Sequence, residues 1–270
     1  MSAAPVRPPD RTLSLIRLDA AVAPEARPAF GDLSDYFNPF LPHFVTAALR
    51  GGGEVWASTA GSGVEGLLLY NDVERMGSIF TRNPSVAEQL FALKEPVAMF
   101  SDYPLAPRTE VYHVYRTTSA ASAFAHRFRH SVRLAQSRDQ SAVLRLMKEL
   151  YGRIDTSWLP VLPSAEEKCL LVEMAGEIVG VGWVTVVEGH GRLHSLSVRP
   201  HYRRMGIGGD LWHARVLWAF RAGAREVLSE IADQNVASRA IATSGGMQRV
   251  GQLLLSYRRE TSPTPPPGSG

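Results

Sequence analysis

Apolar residues follow two different periods between residues 131 and 258, and the two periods alternate along the chain. Alternating or continuous apolar runs predict strands, whereas apolar residues three and four apart predict helices. The predicted strands are residues 131–135, 168–174, 178–187, 192–198, 225–231 and 250–257. The predicted helices begin at Ser137, Ile207 and Val236, and Ser137 forms a predicted capping box with Gln140. This order of elements, β-α-β-β-β-α-β-α-β, indicates an α/β domain.

The pattern from residue 11 to residue 117 is similar but less regular. The predicted strands are residues 12–18, 54–58, 64–70, 97–100 and 110–115, of which the second and third form a hairpin. Pro84 after Asn83 opens a short predicted helix, because proline suits the first position of a helix. We therefore expect a second α/β unit in this half.

Composition and pattern together predict two domains, one linker and two tails. The N-terminal domain is predicted at residues 11–124 and the C-terminal domain at residues 131–260, with a linker at residues 125–130 between them. Residues 1–10 and 261–270 are rich in proline, and we expect them to be disordered.

The predicted linker begins a basic stretch, residues 125–133, in which arginines surround Phe128. Such a stretch is compatible with a nucleic-acid-binding arm. A run this short neutralises few phosphates, so we favour a solvated linker and regard nucleic acid as a poor candidate partner.

Bulk composition is that of a globular protein, with 45% hydrophobic and 20% charged residues. The net charge of +3 is mild and suits an anionic ligand. No apolar run reaches membrane-spanning length and residues 1–10 lack an apolar core, so we expect a cytoplasmic protein.

The single cysteine, Cys169, lies in an apolar run and is expected to be a buried structural thiol rather than a nucleophile. The eight histidines show no ligand spacing, and no metal is predicted.

The most informative stretch is residues 198–211, where a strand, a glycine-rich turn and a helix follow one another. The first amides of a helix lack intrahelical partners, and the helix dipole adds positive charge there, so the turn predicts a phosphate site. Arg203 and Arg204 supply charge. A P-loop is disfavoured because Lys and Ser/Thr are missing, and Leu211 replaces the third glycine of a Rossmann motif.

Arg203-x-x-Gly206-x-Gly208 resembles the acyl-CoA pyrophosphate loop of the GNAT acetyltransferases, and the likeness extends over residues 131–258. It implies a GNAT fold with a mixed α/β sheet and, for the chain, two tandem GNAT-like domains. The N-terminal half then is a degenerate repeat without the cofactor loop; the alternative is an unrelated α/β extension. The resemblance implies acetyl-CoA contacts at Leu196, Ser197, Val198, Arg203, Arg204, Met205, Gly206, Ile207, Gly208 and Gly209.

A second segment is similar to the family. Asn235, Ser238, Gly246 and Met247 match the family's pattern after its fifth strand, which implies that Asn235 and Ser238 also contact the cofactor. The alternative for Asn235 is a plain helix N-cap, and the two are compatible.

The implied reaction needs a base for the attacking amine and an acid for the leaving thiolate. Glu230 matches the catalytic glutamate of ribosomal-protein N-terminal acetyltransferases by its offset from Asn235; the alternative is an ion pair with Arg192 or Arg225. His194 resembles one of the paired histidines of serotonin N-acetyltransferase; the alternative is a hydrogen-bonded sheet histidine.

Many members of the family have a tyrosine that acts as the acid, and this chain has Ala242 at that position. Tyr202, Tyr257 or water then has to protonate the leaving thiolate.

The resemblance thus implies an acyl-CoA-dependent N-acyltransferase that acts on a small-molecule or peptide amine by direct attack in a ternary complex. A non-catalytic acyl-CoA sensor or scaffold is the alternative, because Ala242 replaces the tyrosine. A homodimer is compatible with the sequence, which does not identify the amine, the acyl length, the general acid or the role of the N-terminal half.

Overall fold

The computed structural model describes residues 14–19, 30, 32–61, 63–94, 96–151, 162, 164 and 167–257. The strands are β1 (Ser14–Leu18), β2 (Glu54–Ala60), β3 (Gly63–Asn71), β4 (Met76–Phe80), β5 (Ala98–Ser101), β6 (Arg108–Thr117), β7 (Val132–Leu134), β8 (Glu167–Met174), β9 (Glu177–Val187), β10 (His190–Val198), β11 (Glu226–Ala232) and β12 (Gln248–Tyr257). The helices are α1 (Leu41–Arg50), α2 (Pro84–Ala92), α3 (Ala121–Ala125), α4 (Gln140–Tyr151), α5 (Ile207–Arg221) and α6 (Val236–Ser244). Both predicted tails lie outside the described residues.

The strands form one mixed sheet in the order β1-β2-β3-β4-β5-β12-β6-β11-β10-β9-β8-β7. Five strands of each half flank the central pair β12 and β6. The parallel pairs β4/β5 and β10/β11 occupy equivalent places on the two sides, and every other neighbouring pair is antiparallel. The two halves are therefore similar in topology, as the resemblance implied.

The central strands are exchanged between the halves. β6, from the N-terminal half, pairs with β11, so that Val114 lies opposite Glu230. β12, from the C-terminal half, pairs with β5, so that Leu255 lies opposite Phe100. Each half thus supplies one strand to the other, and the sheet is continuous.

Helices cover both faces of the sheet, which agrees with the continuous burial along inner strands such as β3 and β9. On one face, α5 buries Ile207, Leu211 and Val216 against β9 and β10. On the other face, α1 buries Leu41 and Val45 in a second cluster with residues of the exchanged strands. Within the described residues no helix is long and apolar enough to cross a membrane.

Most predicted elements are confirmed to within two or three residues, and two were missed. β4 is short and contains Gly77 and Ser78, so its strand character comes from pairing with β3 and β5. α3 has only five residues. The predicted capping box of Ser137 and Gln140 is wrong: Gln136 and Asp139 form it one residue earlier, because a 3-10 turn precedes α4.

Candidate functional site

The glycine-rich loop joins β10 to α5 through a 3-10 turn at Pro200–Tyr202. Arg204 and Gly206 have positive φ angles of 63° and 95°, and Gly206 is the N-cap of α5. The first helical hydrogen bond is donated by Asp210 N to Gly206 O at 3.0 Å. The amides of the preceding helical residues therefore have no partner within the helix.

The loop is open on one side and has arginine side chains around it. A side chain at Gly209 would meet no atom within 4 Å, so the start of α5 is open on that side. A Cβ on Gly206 would lie 3.3 Å from Arg129 Cδ, which means that Arg129 lies over the loop. Together with the exposed Arg203 and Arg204, it surrounds the loop with positive charge. Sequence reasoning missed Arg129 because it lies 77 residues before Gly206 in the chain.

A buried carboxylate holds the basic stretch in this position. Asp210 is only 1% exposed and accepts hydrogen bonds from Arg129 N at 3.2 Å and His130 N at 3.0 Å. His130 Nδ1 and His126 Nε2 lie 2.8 Å and 2.6 Å from its two oxygens. Burial acts to raise the pKa of Asp210, but the hydrogen bonds from His126, His130 and the amides outweigh it, and the pKa is lowered.

The segment at residues 125–130 connects α3 to β7, and four of its six residues are exposed. It is in addition tied to α5 through Asp210, a contact that the expectation of a solvated linker did not include. The linker and the exclusion of nucleic acid stay predictions.

Strands β10 and β11 separate beside the loop. They pair in parallel only from His190 opposite Glu226 to Leu193 opposite Ser229, although both strands continue further. A bulge between His194 and Ser197 coincides with this separation, and Ser195 has a positive φ of 52°. The strand edge at residues 196–198 thus has no pairing partner on the β11 side within the described chain.

Asn235 lies at the start of α6, where its Oδ1 accepts a hydrogen bond from Ser238 N at 3.1 Å. This is the N-cap arrangement that sequence reasoning offered as the alternative, and it satisfies one of the free amides of the helix. A cap of this kind does not itself indicate a ligand contact, so the cofactor roles of Asn235 and Ser238 stay predictions.

A cavity of about 510 Å³ lies on the α1 face of the sheet and is lined by residues of both halves. Glu230 and His194, the two predicted catalytic residues, both line it, as do Arg192 and Ser195. The N-terminal half contributes His43 and Phe44 from α1. The structure thus brings the two candidates together in one enclosure.

Glu230 makes the ion pair proposed as the alternative to a catalytic role. Its Oε1 lies 3.0 Å from Arg192 Nε, and the Arg192 guanidinium stacks over the Phe44 ring at 5.0 Å from the centroid. The carboxylate is 11% exposed and faces the cavity. The ion pair therefore orients Glu230 without removing it from the cavity wall.

The His194 side chain is 9% exposed, and burial lowers its pKa to about 3. Its Nδ1 lies 3.2 Å from Ser195 Oγ and its Nε2 3.5 Å from Thr185 Oγ1. The imidazole is therefore neutral near pH 7, which lets it share hydrogen bonds but makes it a weak acceptor of a full proton.

Glu167 and His43 complete this part of the wall, and both were missed by sequence reasoning. His43 Nε2 lies 2.8 Å from Glu167 Oε1, and His194 Nε2 lies 3.9 Å from the same oxygen. Burial acts to raise the pKa of Glu167, but the hydrogen bond from His43 and nearby positive charge lower it to about 2. The contact joins residues 124 positions apart, so no local pattern could have indicated it.

The two tyrosines named as replacement acids do not line this cavity. Tyr202 OH donates to Glu177 Oε2 at 3.4 Å, and the Tyr257 ring contacts the Arg108 guanidinium. Tyr112 on β6 does line the cavity, and burial with the charge of Glu110 raises its pKa to about 12. Cys169 is buried, and burial raises the pKa of its thiol to about 12, which disfavours a nucleophile.

Comparisons with known proteins agree with this geometry. Residues 135–245 match the model of the acetyltransferase (GNAT) family. No curated protein sequence matches the chain. Among solved structures, a GCN5-related N-acetyltransferase from Sphaerobacter thermophilus is similar with a TM-score of 0.60 and 16% identity, covering 92% of this chain and 95% of the other. A GNAT-family acetyltransferase from Colwellia psychrerythraea has a TM-score of 0.61 and 11% identity, covering 92% and 100%.

A tandem GNAT protein from the clavulanic acid biosynthesis pathway is similar at a TM-score of 0.61 and 13% identity, covering 91% of this chain and 98% of that one. These identities are low, so the likeness concerns the fold. It extends over both halves of the chain, whereas the family model matches the C-terminal half alone. Residues 135–245 therefore match the GNAT acetyltransferase family, and the chain as a whole has the fold of GNAT proteins.

Proposed function

We propose that the chain is an acyl-CoA-dependent N-acyltransferase that uses acetyl-CoA and transfers its acyl group directly to a primary amine. One observation carries the proposal: a single strand end connects the open loop with the cavity. Residues 194 and 195 line the cavity, residues 196–198 form the free edge, and residues 203–209 form the loop. Such an arrangement suits a long donor with a phosphate group at one end and a reactive group at the other.

In this proposal, the amides of residues 204–209 hold the pyrophosphate with Arg203, Arg204 and Arg129. The edge at residues 196–198 has no strand partner on the β11 side and offers backbone groups to the pantetheine amides, as in strand addition. Val198 O accepts a hydrogen bond from Arg203 Nε at 3.2 Å, which the pantetheine would replace. The bound thioester supplies an activated acyl carbon. The steps that follow depend on the side chains of the cavity.

An amine acceptor is an ammonium ion in water and must lose a proton before it attacks. We assign this proton to Glu230, which lines the cavity and is held in place by Arg192. We assign to His194 the positioning of the acceptor or of a relaying water, because a neutral imidazole both donates and accepts hydrogen bonds.

The leaving thiolate needs a proton donor, and Ala242 cannot provide one. We assign this role to Tyr112, which lies opposite Ala232 on β11, beyond the point where β10 and β11 separate. A tyrosine hydroxyl is protonated at neutral pH already at its ordinary pKa of 10, and the raised pKa of Tyr112 keeps it so while making it a weaker acid. The donor therefore comes from the N-terminal half, which gives that half a part in the reaction.

The experiment is to incubate the full chain with acetyl-CoA and a panel of primary amines while measuring free thiol and the mass of the product. We expect thiol release that requires an amine and gives a product heavier by one acetyl group. Tight acetyl-CoA binding by calorimetry without release for any amine contradicts the enzyme.

That second outcome supports the alternative function, an acyl-CoA sensor or scaffold. The observation that favours it is Ala242, which is fully buried at the position of the family's tyrosine. The Tyr112→Phe variant also distinguishes the enzyme from the sensor. If the chain is the proposed enzyme, this variant loses turnover and keeps its affinity for acetyl-CoA. A sensor does not depend on the hydroxyl.

A further inference from the structure

One carboxylate in the cavity has neither a role in the proposed chemistry nor a basic side chain bonded to it. Asp102 follows β5 and lines the same cavity as Glu230. Three acidic residues line this cavity, and two of them are paired: Glu230 with Arg192, and Glu167 with His43. Asp102 makes no hydrogen bond or ion pair with any residue in the described part of the chain. Its negative charge is therefore uncompensated by a direct contact.

The charge of Arg82 does not amount to such a contact. Arg82 acts on Asp102 from a distance, but its guanidinium binds Asp35 and lies 2.8 Å from Asp32. Burial and the charge of Asp35 raise the pKa of Asp102 to about 6. An ionisable group left in such a place is costly for the fold, which indicates that the group serves a ligand.

Asp102 and Glu230 line the same cavity from opposite sides of the central strand pair. Asp102 directly follows Ser101, the last residue of β5, which lies opposite Leu254 on β12. Glu230 lies on β11, opposite Val114 on β6. β5 and β11 are three strand spacings apart, which is about 14 Å across the sheet.

Part of the wall of this cavity is apolar. It includes three phenylalanine side chains, Phe37, Phe80 and Phe100, together with Leu253. An aromatic wall accommodates a methylene chain, and ring faces also attract cations. A ligand that matches this surface has a flexible apolar middle and a positive charge at each end.

We propose that Asp102 binds a second cationic group of the acceptor, so that the acceptor is a diamine or a longer polyamine. One amino group then lies at Asp102 while the other reaches Glu230 and the acyl donor. The assignment of the reacting end rests on the proposed function. The binding of a dication between the two carboxylates does not depend on turnover.

The test measures binding at equilibrium, without an acyl donor, by calorimetry with the full chain. The probes are hexamethylenediamine, trimethylenediamine and, as the singly charged partner of the first, hexylamine. A charge-assisted hydrogen bond leads us to expect that hexamethylenediamine binds at least about tenfold more tightly than hexylamine. Trimethylenediamine is too short to reach both carboxylates and is expected to show no such gain.

Asp102→Asn removes the charge and keeps the shape of the side chain. We expect it to abolish the preference for hexamethylenediamine while leaving hexylamine affinity within about twofold. Glu88→Gln is the matched control, since it removes one exposed negative charge of the same half from outside the cavity lining, and it should keep the preference. Circular dichroism of both variants checks that they fold.

The proposal is overturned if hexamethylenediamine and hexylamine bind equally, if no diamine binds, or if the preference survives in Asp102→Asn. It is also overturned if Glu88→Gln loses the preference equally, because the effect is then one of general charge. Failure of the proposed function looks different: the diamine preference is present and depends on Asp102, but no acyl transfer follows. Acyl transfer to hexylamine without a diamine preference leaves the proposed function in place and removes this inference.

Discussion

At the scale of single residues, the site depends on a few positions where backbone conformation or charge leaves little choice. Gly206 has a positive φ of 95° at the start of α5, which side-chain-bearing residues rarely adopt. Glu230 has its carboxylate in the cavity and an arginine at 3.0 Å. The first position shapes the loop and the second serves the proposed proton transfer, so they can be tested separately.

Gly206→Ala is expected to weaken acetyl-CoA binding at least about tenfold, because the added methyl both disfavours the loop conformation and crowds Arg129. Calorimetry measures the affinity. Gly223→Ala is the matched control: Gly223 has a φ of 94° and open space around it at the far end of α5. Both variants should lose about 1–2 kcal/mol of stability. If Gly223→Ala weakened binding as much, the loss would reflect general destabilisation.

Glu230→Gln is expected to lower kcat by about a hundredfold or more, which is typical of a lost general base, with little change in acetyl-CoA affinity. Steady-state rates with the best amine of the panel measure it. Glu226→Gln is the control, because Glu226 lies on the same strand but pairs with His190 outside the cavity lining. This variant should keep near wild-type activity. Full activity of Glu230→Gln would show that this carboxylate forms the ion pair with Arg192 but is not the general base.

At the scale of elements, long-range polar contacts hold segments against the helices and strands that carry the site. Asp210 ties the stretch between α3 and β7 to the first turn of α5, which places Arg129 over the loop. His43 on α1 reaches Glu167 on β8 and closes one wall of the cavity. Both contacts use buried carboxylates, so breaking them leaves unsatisfied donors.

Asp210→Ala is expected to cost about 1–3 kcal/mol in stability, to increase hydrogen exchange at residues 126–130 and to weaken acetyl-CoA binding. Asp139→Ala is the control, because Asp139 is also buried and bonded to Arg133 but lies away from the loop. Asp139→Ala should lower the free energy of unfolding by a similar amount without changing hydrogen exchange at residues 126–130. Unchanged exchange in Asp210→Ala would mean that other contacts hold the stretch.

The contribution of Asp210 also has a defined pH dependence. Its pKa is lowered in the folded chain, so the stabilisation is complete above the ordinary value of 3.8 and is lost as the pH falls through the lowered pKa. The difference in stability between wild type and Asp210→Ala should therefore shrink at acidic pH.

At the scale of the whole molecule, the exchanged strands make one sheet from two similar halves. β6 and β12 each pair with the opposite half, and the cavity draws its lining from both. The C-terminal half contains the loop and Glu230, while the N-terminal half supplies His43, Tyr112 and Asp102. The site as a whole thus needs the complete sheet.

We expect the full chain to unfold in a single transition, with coincident curves from circular dichroism and tryptophan fluorescence. A fragment of residues 131–257 is expected not to form a stable monomer, because β11 loses β6 and β12 loses both of its neighbours. Thermal unfolding of the fragment measures this. A fragment that melted cooperatively near the temperature of the full chain would show that the exchange is not needed for folding.

The sequence was most informative where contacts are local. Hydrophobic period and turn residues gave most strands and helices, and the spacing of Arg203, Gly206 and Gly208 identified the loop. The capping box was misplaced by one residue, because a polar side chain near a helix start has several amides within reach. β4 was missed because its five residues acquire strand structure by pairing with neighbours on both sides.

The sequence by itself determined the α/β class, the order of elements in the C-terminal half and the glycine-rich turn before α5, because these depend on residues within one turn or one strand of each other. Only the tertiary structure decided the strand exchange, the cavity and its wall, because they depend on which distant strands pair. His43 meets Glu167 across 124 residues and His130 meets Asp210 across 80. Contacts of that range follow from sheet order and register, which no local period specifies.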